Sequence, residues 1–144
     1  MDFSFTKEQE DFRQEVRQFL QREVELTEKV RGEAEHYGEA TQEFLRKAGA
    51  KGYLTPSWPK EYGGLQKSHM YKYIVSEDLS YAIGLISVGI GVSMAGPIIL
   101  MVGTEQQKKK FLPEIARGEV EWSLGYTEPQ AGSDLAALEM VIII

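Results

Sequence analysis

LSYAIGLISVGIGVSMAGPIILMVGT, residues 79–104, contains not one charged side chain. Roughly 20 apolar residues suffice to cross a bilayer, so this stretch decides between a membrane-spanning chain and a globular one. Spanning helices tolerate glycine and proline, so Pro97 and Gly84, Gly89, Gly91, Gly96 and Gly103 do not settle the matter by themselves. Their order says more. Gly84, Ser87, Gly91 and Ala95 recur at three- and four-residue spacing, which leaves one face of a helix nearly bare. A bare face lets another helix, or a thin ligand, approach the backbone closely. Together with polar Ser80, Ser87 and Ser93, this pattern favours a buried central helix over a membrane span.

The segments before this stretch are helical in pattern. Thr6-Lys7-Glu8-Gln9 has the spacing of a capping box. Phe12, Val16, Phe19, Leu20 and Val24 follow at helical steps, predicting one amphipathic helix that ends between Val30 and Gly38. A second helix is predicted from Glu39 to about Lys51, with Phe44, Leu45 and Ala48 as its stripe and Gly52 as its stop. The stretch from Tyr53 to Gly64 holds two prolines and a Gly-Gly pair, and reads as a loop pinned by its aromatics. A third helix starts near Ser68 and places Tyr71, Ile74, Val75, Leu79 and Ala82 on one face. Asp78 falls on that face too. A buried carboxylate needs a partner, and the simpler expectation puts Asp78 at the boundary of the stripe.

After the uncharged stretch, Thr104-Glu105-Gln106-Gln107 repeats the capping-box spacing. The helix it opens carries Lys108, Lys109 and Lys110 on a solvated face, and Pro113 is expected to kink or interrupt it. Arg117-Gly118-Glu119 closes the helical region. Val120 to Thr127 alternates apolar with polar or small residues and reads as a strand, and Glu128 to Asp134 as a turn. A hydrophobic tail runs from Leu138 to Ile144. The expected fold class is therefore mainly α, with a short β segment at the C-terminal end.

Composition narrows the chemistry. The net charge of -6 argues against non-specific nucleic-acid binding. The absence of cysteine excludes disulfides, thiolate metal sites and a cysteine nucleophile. His36 and His69 stand without metal-ligand spacing, so no metal is expected, and Glu33, Glu35 and Glu39 read as a solvated acidic stretch. The opening residues lack a basic region and an apolar core, so no secretory signal is expected and the cytoplasm is the default.

Gly125-Tyr126-Thr127-Glu128-Pro129-Gln130-Ala131-Gly132-Ser133-Asp134-Leu135 is the segment that bears on chemistry. It combines free backbone N–H groups, hydroxyls at Thr127 and Ser133, and a glycine permitting close approach. That suits a phosphate or a carbonyl-rich ring edge, although a plain surface turn has the same ingredients. The string also resembles the signature of the acyl-CoA dehydrogenase family, with Tyr126 departing from the usual aliphatic residue. Trp58-Pro59-Lys60-Glu61-Tyr62-Gly63-Gly64-Leu65, Gly103-Thr104-Glu105-Gln106-Gln107-Lys108 and Phe111-Leu112-Pro113 fall in that family's order and spacing.

The resemblance implies an N-terminal helical domain over residues 1–119 and the truncated start of a middle β-domain over 120–144. It implies α,β-dehydrogenation of an acyl-CoA thioester, with hydride passing to N5 of FAD. Leu124, Tyr126, Thr127, Gly132 and Ser133 match the flavin-contacting segment. Ser133 would also lie near the acyl-CoA, and Gly84, Ser87, Gly91 and Ala95 would wall the acyl pocket. The catalytic base is expected outside this chain, so the chain alone is expected to be inactive and not to retain FAD. An electron-transfer flavoprotein would be the redox partner, and a homo-oligomer the assembly. The alternative reading is a non-catalytic helical module that associates with a complete subunit or binds acyl chains.

Overall fold

The computed structural model describes residues 4–33, 38–84, 89–125, 127–137 and 139. Six α-helices are found among them: α1 (Lys7–Arg22), α2 (Val24–Gly32), α3 (Glu39–Ala50), α4 (His69–Ile83), α5 (Gly96–Val102) and α6 (Glu105–Ala116). The fold is mainly α, as the periodicity predicts. Both capping boxes form. The Thr6 and Thr104 hydroxyls accept from Gln9 and Gln107 N–H at 3.3 and 3.2 Å, and each glutamine side chain accepts the threonine's own N–H at 2.9 Å. No described helix is long and apolar enough to cross a membrane.

The core gathers where α1, α3 and α4 meet the aromatic loop. Phe12 meets Tyr71 and Tyr53 edge-on at 5.0 and 5.8 Å, and Phe19 lies 5.4 Å from Tyr53 and 5.8 Å from Phe44. Such pairs add about 0.5–1.5 kcal/mol each beyond area burial. Tyr53, Trp58 and Tyr62 are buried, so the loop is pinned as expected. Its chain folds back through Gln66 N–H to Trp58 C=O at 2.9 Å and Lys67 N–H to Pro56 C=O at 2.9 Å.

Five expectations are corrected. The first helix does not run on to residue 30. It breaks at Glu23 (φ -99°, ψ 23°), which leaves Val24 half-exposed and redirects α2 so that Leu26, Thr27 and Val30 are buried, with α2 packing on α3. Asp78 is no boundary residue. It is 5% exposed, and Arg17 Nε donates to its Oδ1 at 3.2 Å, while Arg13 Nε lies 3.5 Å from Oδ2. Pro113 does not end α6, which continues to Ala116 because Leu112, Ile115 and Ala116 are buried there. Their burial outweighs the roughly 3 kcal/mol that an interior proline costs. Glu33 is not simply solvated: its carboxylate accepts Ala40 N–H at 2.6 Å, Thr41 N–H at 3.0 Å and the Thr41 hydroxyl at 2.5 Å, and so caps α3 from a distance. Residues 120–125 and Thr127 form no strand, because a strand needs a partner ladder and none lies beside them among the described residues.

The uncharged stretch is also built differently from a single helix. Gly84 ends α4 with φ 70°, a left-handed cap that glycine adopts without strain. Beyond Gly89 the chain re-enters helix through a π-helical turn, Gly91–Ala95, that leads into α5. Gly84 and Gly91 therefore do not share one helix face, and Ser87 lies outside the described residues.

Candidate functional site

Within the segment from Leu124 to Ser133, residues 128–131 form a tight turn closed by a β-bridge. Glu128 N–H donates to Ala131 C=O at 3.0 Å and Ala131 N–H returns the bond at 3.1 Å, with Pro129 and Gln130 at the tip. Proline at the first central position fits such a turn. Ala131 is buried and anchors it. The Glu128 carboxylate accepts Gln130 Nε2 at 2.7 Å and Glu139 N–H at 3.0 Å, which braces the turn. Asp134 Oδ1 accepts Ala136 N–H at 3.2 Å and starts a short 3₁₀ turn, Leu135–Ala137.

What this leaves open is a side of hydroxyls and glycine. Thr127, Gly132 and Ser133 are exposed, and Leu124 is exposed beside them. A Cβ on Gly125 would meet nothing within 4 Å, and one on Gly132 would meet only Thr127 Cγ2 at 3.8 Å. Among the described residues neither hydroxyl, Thr127 or Ser133, has a hydrogen-bond partner, whereas both nearby carboxylates are engaged inside the loop. Exposed neutral hydroxyls, beside carboxylates that are already hydrogen-bonded within the loop, fit a carbonyl-rich or anionic ligand such as a flavin edge or a pyrophosphate. Tyr126 lies outside the described residues.

The residues expected at the acyl pocket are spread over two elements. Gly84 caps α4 with open space at its Cβ position, and Ala95, half-buried, ends the π turn. Gly91 is buried, and its bare side faces Trp122 and Ile115. The sequence pattern did not single out Gly96, yet a Cβ there would come within 2.1 Å of the Trp58 ring. Spacing showed where backbone could be approached. It could not show that two tryptophans of the same chain do so. No group of metal-ligating side chains occurs among the described residues.

Residues 6–119 match the model of the acyl-CoA dehydrogenase N-terminal domain. The chain is 34% identical over 143 residues to acyl-CoA dehydrogenase FadE29 of Mycobacterium tuberculosis, covering 99% of this chain and 37% of that protein. It is 36% identical to a short-chain-specific acyl-CoA dehydrogenase of Clostridium acetobutylicum, over 100% of this chain and 38% of the relative. It is 33% identical to CarC, a subunit of the caffeyl-CoA reductase–Etf complex of Acetobacterium woodii, over 96% and 37%. Among solved structures, the Tcur3481–Tcur3483 steroid ACAD superposes with a TM-score of 0.77 at 37% identity, over 96% of this chain and 36% of that one. An acyl-CoA dehydrogenase of Bacillus anthracis complexed with FAD superposes at 0.70 with 28% identity, over 92% and 23%. The chain thus spans little more than a third of the length of the relatives it matches. Motif order, helical architecture and these matches over nearly the whole chain agree that it belongs to the acyl-CoA dehydrogenase family.

Proposed function

We propose that this chain is the helical-domain portion, with the opening of the middle domain, of an FAD-dependent acyl-CoA dehydrogenase. The division falls near residue 119, where the family match ends and the helical pattern stops. The observation that carries the reading is the turn at residues 128–131, beside which the Thr127 and Ser133 hydroxyls are exposed and have no partner among the described residues, in a chain of this family. Thr127 would bond the flavin pyrimidine edge through hydroxyl and backbone. Ser133 would lie near the pyrophosphate and the acyl-CoA, and Leu124, Tyr126 and Gly132 would complete the contact. FAD, when bound, supplies the acceptor for hydride from the acyl β-carbon. This chain's part is to bind and orient. It holds hydroxyl donors toward the cofactor, and Gly84 and Ala95 would wall the acyl chain and exclude water, while Gly91 is filled by this chain's own Trp122. The α-proton passes to a carboxylate base that this chain does not supply, so the chain by itself turns over no acyl-CoA. A CarC relative named with an Etf complex supports an electron-transfer flavoprotein as partner.

The experiment is a chimera. This chain replaces the matching N-terminal third of the Clostridium acetobutylicum short-chain enzyme, and the purified product is assayed for flavin absorbance and for acyl-CoA oxidation with an artificial acceptor. The reading expects bound FAD and turnover in the chimera, and no turnover above background for the chain alone. A folded, helical chimera without flavin would remove the loop from the cofactor site.

A further inference from the structure

Trp122 lies five residues ahead of Thr127, and its indole sits where two helical elements converge. A Cβ added at Gly91 would come within 2.8 Å of Trp122 Cδ1 and 3.3 Å of its Cγ, with Ile115 Cγ2 next at 3.4 Å. Phe111 of α6 meets the same indole edge-on, with ring centroids 5.7 Å apart and planes at 83°. Gly91 opens the π-helical turn, whose closing bond runs from Gly96 N–H to Gly91 C=O. Turns of this kind widen the helix locally and often mark functional positions. Here the turn and the missing Cβ together make a notch the size of an aromatic edge.

Among the described residues, none forms a ladder of backbone hydrogen bonds with residues 120–125. Val120 and Leu124 are exposed, while Trp122 is packed on the core. Side-chain packing at Trp122 therefore ties this segment to the helical domain, next to Val120, which borders Leu45, Leu54 and Ile115.

We propose that Trp122 is a positioning residue for the loop that follows it. Seated in the Gly91 notch against Phe111, it fixes the approach of residues 123–133 and so sets where Thr127 and Ser133 present their hydroxyls. The inference rests on reading that loop as the flavin-contacting segment. It also gives Gly91 a different occupant from the helix or ligand that its spacing suggested, namely this chain's own tryptophan.

The full chain is compared with G91A, W122A, W122F and G91A/W122A by hydrogen–deuterium exchange and thermal melting. W122A should raise exchange in peptides from 123–137 on the order of tenfold, a loss of about 1.4 kcal/mol of local protection, while leaving the exchange of α1 and α3 unchanged. W122F keeps a ring edge for Phe111 and should restore part of that protection. G91A should lower the melting midpoint in the parent and add little in the W122A background, because the obstacle to the new methyl is then gone. If G91A does not fold, recovery of folding in G91A/W122A supports the seat. Failure of both glycine variants places the clash elsewhere and overturns it. Unchanged exchange of 123–137 in W122A, or additive melting shifts, also overturns it. FAD titration of the chimera is a separate readout: an intact anchor with FAD affinity insensitive to the loop would sink the flavin reading and leave the anchor standing.

Discussion

Asp78→Ala should be the most damaging single polar substitution in the α1–α4 interface. Asp78 is 5% exposed and faces two arginines of α1. Removing one member of a fully buried ion pair costs roughly 3–5 kcal/mol, because the other charge is left without compensation, whereas an exposed pair contributes about 0–1. The two arginines fall on either side of that division. Arg17 is 45% exposed and returns to water, so its loss is near the surface value. Arg13 is 17% exposed but keeps Glu77 at 2.5 Å. Asp78 Oδ2 also has no hydrogen bond, so part of its desolvation is already uncompensated in the parent. These terms lower the expected loss to about 2–3 kcal/mol. Urea unfolding followed by far-UV circular dichroism measures it: the midpoint should fall with an unchanged slope. Combining Arg17→Ala with Asp78→Ala should give a coupling below about 1 kcal/mol, since that pair is half-solvated. A loss under about 0.5 kcal/mol for Asp78→Ala would refute the reasoning, showing that the cluster is solvated or energetically idle.

Three further outcomes follow from particular contacts. Thr104→Ala breaks a complete capping box and should cost about 1 kcal/mol in the same urea assay, while Gln107→Ala should lose less. The Thr41 hydroxyl, with the Ala40 and Thr41 N–H groups, holds Glu33 below the ordinary glutamate pKa. A depressed folded pKa means that this stabilisation is complete above the unfolded value of about 4.3 and is lost as pH falls through the lower folded value. Glu33→Gln should therefore flatten the acid limb of the stability–pH curve, and an identical limb in the variant would discard the cap's charge as a contributor. Finally, Ile98, Met101 and Val102 of α5 are 60, 81 and 77% exposed. An apolar face of this kind favours association, as does the uncharged run Val141 to Ile144, so dimers or larger species are expected in sedimentation. Ile98→Ser with Met101→Glu, or deletion after Ser133, should shift the chain toward monomer.

Much of the fold was legible because its signals are local. Thr6 and Thr104 each stand three residues ahead of a glutamine, and both form the bonds that this spacing predicts. Phe12, Val16 and Phe19 of α1, Phe44, Leu45 and Ala48 of α3, and Tyr71, Ile74, Val75 and Leu79 of α4 are buried as periodicity predicts, whereas Leu20 and Ala82 are only partly buried and Val24 is exposed. What escaped depended on tertiary partners. Nothing near Glu23 marks a break, which follows from α2 turning to pack on α3. Asp78 looked like a boundary residue because its partners, Arg13 and Arg17, lie far off in sequence. Pro113 looked like an interruption because the burial of Leu112 and Ile115 is invisible locally. Val120 to Thr127 has strand composition, but a strand is a property of two segments. The turn at Pro129 and Gln130 was readable from turn chemistry. Its open hydroxyl side was legible only as residue types, and the seat of Trp122 in Gly91 not at all.

The central claim is that the Thr127–Ser133 loop of this chain serves a flavin. The most direct measurement is FAD affinity, by titration, of the chimera carrying Thr127→Val and Ser133→Ala against the parent chimera. Each lost hydrogen bond should cost roughly 0.5–1.5 kcal/mol, so the double variant should bind FAD about 5- to 150-fold more weakly, with its helical circular dichroism intact. An unchanged FAD affinity in a folded double variant would contradict the account.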